Sequence, residues 1–158
     1  MDRQTIQLFL HVGAVVVALG PTFALPFLQA FAERDGVAST RFMLAFSERI
    51  YRILIGPGSA VVFIFGAALI VANDRGYRES MPTWLAACGV WFILAMALSF
   101  HYQPAAVRAA QHLLDELPGD ADLPPGYKRV GLQLRTIEGF LALSTLAITL
   151  LMFWKPGE

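Results

Sequence analysis

The chain has little charge and almost no cysteine. Only 15% of its 158 residues are Asp, Glu, Lys or Arg, against roughly 25% in an ordinary soluble domain, and this deficit points towards lipid. Lys plus Arg equals Asp plus Glu at 12 each. No net field therefore favours nucleic acid or an acidic substrate, and no nucleic-acid partner is expected. A single cysteine, Cys88, excludes an intramolecular disulfide. The sequence also lacks a phosphate-binding glycine loop, a Cys-x-x-Cys pair, a His-Glu-x-x-His motif and a carboxylate pair deep in an apolar segment. These absences remove the usual footing of soluble hydrolase chemistry.

Long apolar runs are what the chain has instead. Four windows, about 6–31, 53–72, 83–100 and 137–154, meet the requirement of roughly 18–25 mostly apolar residues for a membrane-crossing helix. Hydrocarbon leaves no partner for a free backbone N–H or C=O, so each window is predicted to be helical. The expected fold is an all-α integral membrane four-helix bundle of up-down topology, one transmembrane domain over residues 1–158. Gly20-Pro21 and Pro26 mark a kink in a retained first helix, not the cleavage site of a signal peptide. Gly56-Pro57-Gly58 marks a second kink. A helical extension of the third span is expected over about 101–117, and residues 120–126 form an acidic, proline-rich loop.

The distribution of positive charge sets an expected orientation. Arg34, Arg41, Arg49, Arg52, Arg108, Lys128, Arg129 and Arg135 fall in the first and third connections, eight in all, against Arg3, Arg75, Arg78 and Lys155 on the other side. The bias places both termini outside, in the periplasm of a bacterial inner membrane.

His11 is the most informative single residue. It lies about 9 Å below the outer surface at 1.5 Å per residue, and its helical face continues through Ala14, Ala18 and Thr22. Such a small-residue stripe lets another helix, or a flat ligand such as a porphyrin, come close. A neutral imidazole there suits haem or copper ligation, and an interhelical hydrogen bond is the alternative. His101, at the end of the third span, falls near the opposite face, of order 20 Å away across a core of about 30 Å. The two histidines are thus not expected to share one haem. Glu48, Arg49, Arg52, His101, Arg135 and Glu138 form a second group by depth. Arginines there can pair with glutamates across helices or hold a carboxylate ligand, and Glu138 is expected to pair with Arg49 or Arg52. Cys88 reads as packing.

These landmarks together resemble a known group. A histidine precedes a Gly/Pro kink, and "ERIYR" leads into a helix with Pro57 and Phe65-Gly66. A third helix ends in "HY", and a fourth opens on Arg135-x-x-Glu138 and closes on "KP". The chain resembles the bacterial four-span superfamily of HemJ-type protoporphyrinogen oxidases and copper-resistance D-like proteins. The resemblance implies a protein that binds haem b or handles porphyrin, with His11 as the ligating histidine and Glu48, Arg49, Arg135 and Glu138 at its polar positions. The oxidases carry a lysine near the start of the third helix, where this sequence has Ala86 and Ala87. A sister family of predicted integral membrane proteins is therefore the match implied. A non-enzymatic membrane protein, either a structural or accessory subunit or a small-solute carrier, is the alternative. The partners expected are the lipid bilayer and a porphyrin, together with a second copy of the chain or a larger membrane complex.

Overall fold

The computed structural model describes residues 3–72, 77 and 79–156, and every regular element among them is helical. Arg75 and Arg78, counted above for orientation, lie outside the described residues. The first long helix is Arg3–Asp35, divided into α1 (Arg3–Leu19) and α2 (Pro21–Asp35). The division falls at the expected kink. Pro21 has no N–H to donate, and a side chain on Gly20 would run into the Val16 carbonyl.

Gly36 alone separates α2 from the second long helix. Its φ of 108° lies in the region that favours glycine, so the chain reverses within one residue. The second helix spans Val37–Val71. It comprises α3 (Val37–Ile50), a π-helical turn (Tyr51–Ile55) and α4 (Gly56–Val71). Pro57 supplies the cause of the turn. It cannot donate to Ile53, and its ring pushes that carbonyl away, so the preceding turn widens to an i→i+5 pattern. The Gly56 N–H bonds the Tyr51 carbonyl accordingly. The third and fourth long helices are α5 (Thr83–Leu114) and α6 (Tyr127–Trp154). The latter starts ten residues ahead of its apolar window, on a polar stretch that hydropathy alone does not reveal as helical.

All four long helices are long and apolar enough to cross a membrane. Only 17–28% of each apolar window is buried within the protein, so lipid must cover the rest. Phe9, Phe42, Phe153 and Trp154 are among the large side chains left exposed. At 28 to 35 residues the helices run about 42–52 Å, longer than a hydrocarbon core of about 30 Å. The more polar stretches of the second, third and fourth long helices lie towards the Gly36 end. There Arg41 donates to the Leu114 carbonyl and, at 2.5 Å, to Leu117, closing the carbonyl-rich end of α5.

Packing follows pairs. α1 lies along α4, α5 lies along α6, and α2 and α3 bring the pairs together near Gly36. Two apolar clusters fill the interior. One gathers Ala18, Leu25, Tyr51, Ile55, Met96 and Leu141, and the other, nearer Gly36, gathers Val37, Leu44, Val107, Leu114, Tyr127 and Leu134. Between them each long helix turns a polar residue inward: Gln29, Ser47, Ser99 with Gln103, and Glu138, all at 1% exposure. The core is thus interrupted by a polar layer.

Candidate functional site

Two polar regions result from this packing, one on the α1–α4 seam and one in the buried layer.

On the seam, α1 turns Arg3, Gln7, His11, Ala14 and Ala18 along one face at helical spacing. α4 answers with Gly58, Val62 and Gly66, again four residues apart. Ala18 is so close that a Cβ on Gly58 would sit 2.2 Å from its own. Of the two occupants the stripe could admit, a helix packs on its Ala18 end. Ala18 is a packing residue, and half-buried Ala14 continues the same seam.

Half-buried His11 sits further along, its Cε1 3.1 Å from where a Gly66 Cβ would be. Its Nδ1 lies 3.0 Å from the Val62 carbonyl. A carbonyl only accepts, so Nδ1 carries the hydrogen, and in the neutral ring Nε2 keeps the lone pair. One turn further out, a cavity of about 400 Å³ is lined by Arg3, Gln7, Ala67, Ala68, Val71 and Ala72. Gln7 Oε1 is buried without a partner among the described residues.

His101 is exposed on α5, its ring edge-on to Tyr102. The neighbouring Phe100 packs at Gly56, six to ten residues along α4 from the Val62–Gly66 stretch that holds His11. That is about 9–15 Å of rise along α4, so the two histidines lie at different depths. Among the described residues no three of His, Cys, Asp and Glu converge as a metal site. Cys88 is buried.

The group expected from depth is not assembled as written. Glu48, Arg49 and Arg52 are exposed, because the inward face of the second helix runs through Leu44, Ser47, Tyr51 and Ile55. The expected pairing of Glu138 with Arg49 or Arg52 is therefore corrected: they share its depth but not its direction. Arg135 instead bonds Glu33, its Nη1 2.5 Å from Oε2. Glu33 had not been singled out in the sequence, nor had Gln29 or Tyr127. Gln29 Nε2 donates to the Tyr127 hydroxyl at 2.6 Å and to Glu33 Oε1 at 3.3 Å, and the Tyr127 hydroxyl donates to the same oxygen at 3.3 Å. Gly131 leaves room for this, since a Cβ there would meet both Glu33 and Tyr127 at 2.8 Å. The available signal was spacing: Gln29 and Glu33 are four apart, as are Tyr127, Gly131 and Arg135.

Glu138 lies one turn deeper than Arg135, with Oε2 unpartnered among the described residues. Of the six other buried atoms in this condition, three belong to residues turned into the interior of the bundle, Tyr51 Oη, Ser99 Oγ and Gln103 Nε2, and the rest are Gln7 Oε1, Arg41 Nε and Trp84 Nε1. The Tyr51 phenol and the Glu33 carboxylate are each within electrostatic range of Glu138. The Trp91–Ser144 hydrogen bond fixes the register of α5 on α6 and sets Ser99 at the level of Glu138.

The arrangement defines a helical membrane protein with a histidine on an interhelical seam and a polar layer inside the bundle. Residues 5–156 match the family described as predicted integral membrane protein (DUF2269), and the chain belongs to it. No curated protein and no solved structure matches the chain.

Proposed function

We propose that this is a bacterial inner-membrane protein of up-down topology, both termini outside, that binds haem b or a related porphyrin through His11 for redox chemistry or cofactor handling. The observation that carries the reading is the bond from His11 Nδ1 to the Val62 carbonyl. Metal-ligating histidines typically fix their ring in this way, by donating the far nitrogen to a carbonyl or carboxylate.

The donor set fits such a group on one side only. Packing fills the seam towards Ala18, whereas towards Arg3 it opens into a cavity within the roughly 300–1,000 Å³ of small-molecule sites. His11 would hold the iron and Arg3 a propionate, with the unpaired Gln7 oxygen available to a donor on the ligand. Haem b, when bound, supplies one-electron redox chemistry. The residues of this chain would bind it, orient it and exclude water through the apolar wall of α4.

The test is the Soret band of protein purified in detergent after expression with excess haem precursor. His11→Ala is expected to abolish it, and His101→Ala to leave it largely intact. A haem retained without His11 but lost without His101 overturns the assignment. A protein that takes up no haem under any reconstitution makes His11 a structural hydrogen-bonding residue and favours a non-enzymatic membrane subunit or carrier.

A further inference from the structure

We propose that Glu138 is a proton-binding site that exchanges with water at the Gly36 end of the bundle through Glu33. The buried layer contains one carboxylate and three groups that can donate to it, Tyr51 Oη, Ser99 Oγ and Gln103 Nε2, and all four atoms lack partners among the described residues. Buried polar atoms are almost always satisfied, by protein or by ordered water. Tyr51 from the π turn, Ser99 and Gln103 from α5 and Glu138 from α6 all turn inward between the two apolar clusters, a set that water can bridge.

Chemistry chooses the occupant. A hard metal cation needs several oxygen acceptors and usually more than one carboxylate. Here the second carboxylate within range, Glu33, is already held by Arg135, and no cluster of three metal-ligating side chains exists among the described residues. Water and a proton satisfy this set. Tyr51, Ser99 and Gln103 can donate to water, to the carboxylate, or to the carbonyl oxygen of the protonated acid.

The route is equally specific. Glu33 is within electrostatic range of Glu138 on one side and only 12% exposed on the other, where it meets half-exposed Arg135. Arg135 and the Tyr127 hydroxyl hold Glu33 between the layer and the Gly36 end. The charged and titratable groups within electrostatic range of Glu138 are Glu33 from α2 and Tyr51 from the π turn, with Arg135 one turn away on α6 and bonded to Glu33. Among the described residues, α5 buries the neutral Ser99 and Gln103 in this layer, and His101 is exposed. In the transfer, hydronium at the Gly36 end gives its proton to the Glu33 carboxylate and becomes water. Glu33 passes a proton through bridging water to a Glu138 oxygen, where the O–H bond forms, and is left ionised beside Arg135. Release reverses these steps. No oxidant or reductant is involved.

The test is infrared difference spectroscopy of the purified protein in lipid vesicles, with pH steps and transfer to D2O. A protonated-carboxyl C=O band is expected to grow reversibly as pH falls and to shift on deuteration. Glu138→Gln should remove it, Glu138→Asp should displace it, and Tyr51→Phe should move its frequency by removing a donor. Glu33→Gln should leave the band in place but slow its deuteration at least tenfold. A band that persists in Glu138→Gln, or no titrating carboxyl band in a wild-type protein of normal helical content, overturns the assignment. Deuteration as fast in Glu33→Gln as in wild type removes Glu33 from the route.

Discussion

Glu33 and Glu138 lie within electrostatic range of one another, yet only Glu33 has a cationic partner. The difference sets opposite expectations for the two positions. Arg135→Ala leaves a mostly buried carboxylate held only by Gln29 and Tyr127. Because the guanidinium is itself 36% exposed, the loss should be about 1–2 kcal/mol, less than for a fully buried pair. Glu138→Met acts in the other direction. It removes a buried carboxyl group whose desolvation, only partly offset by mobile water, costs about 1–3 kcal/mol, and replaces it with apolar volume of similar size. Thermal unfolding in detergent should therefore show Glu138→Met above wild type and Arg135→Ala below it. A midpoint lowered by Glu138→Met would mean that the donors and water around the carboxyl group stabilise it by more than its burial costs, and the predicted order of the two variants would fail.

At the scale of elements, the α1–α4 seam depends on the absence of side chains. Gly58→Ala must push Ala18 and its backbone away, since the new Cβ would meet the Ala18 Cβ at 2.2 Å and its Cα at 3.3 Å. Overpacking of this kind costs about 1–3 kcal/mol. Gly13→Ala, on the same α1 helix, meets nothing within 4 Å, and should be neutral or gain up to about 1 kcal/mol from helix propensity. Ala18→Gly should rescue Gly58→Ala. Thermal midpoints of the two single variants and the double variant check this, and equal midpoints for Gly13→Ala and Gly58→Ala would contradict the seam. The helices and both proline-linked irregularities were legible because hydropathy and missing N–H groups act locally. The direction each residue faces was less legible. Arg135 and Glu138 are three apart, about 60° around the helix, enough to put one at the rim and the other inside. Arg49 and Arg52 share the depth of Glu138, but Ser47, Tyr51 and Ile55 take the inward face of their helix. Glu33 went unnoticed because its partners, Tyr127 and Arg135, are about a hundred residues away.

For the whole molecule, orientation decides what both proposed sites face. Of the eight basic residues at the Gly36 end, Arg41 is engaged with the carbonyls of α5 and Arg135 with Glu33. That leaves Arg34, Arg49, Arg52, Arg108, Lys128 and Arg129 for the membrane surface, still a surplus over the opposite end. At that opposite end Arg3 lines the cavity and so lies beside the proposed porphyrin. The Gly36 end is expected in the cytoplasm, so the proposed proton exchange of Glu138 would be with the cytoplasm, and the cavity beside Arg3 and Gln7 would lie in the periplasmic leaflet. Cys88 is buried and can be replaced by serine to give a silent background. Glu79 and Gly119 are both exposed and lie at opposite ends of the bundle. In spheroplasts an impermeant maleimide should label Glu79→Cys at once and Gly119→Cys only after the membrane is permeabilised. The reverse pattern would turn the molecule over, placing the porphyrin cavity on the cytoplasmic side and opening the proton route to the periplasm.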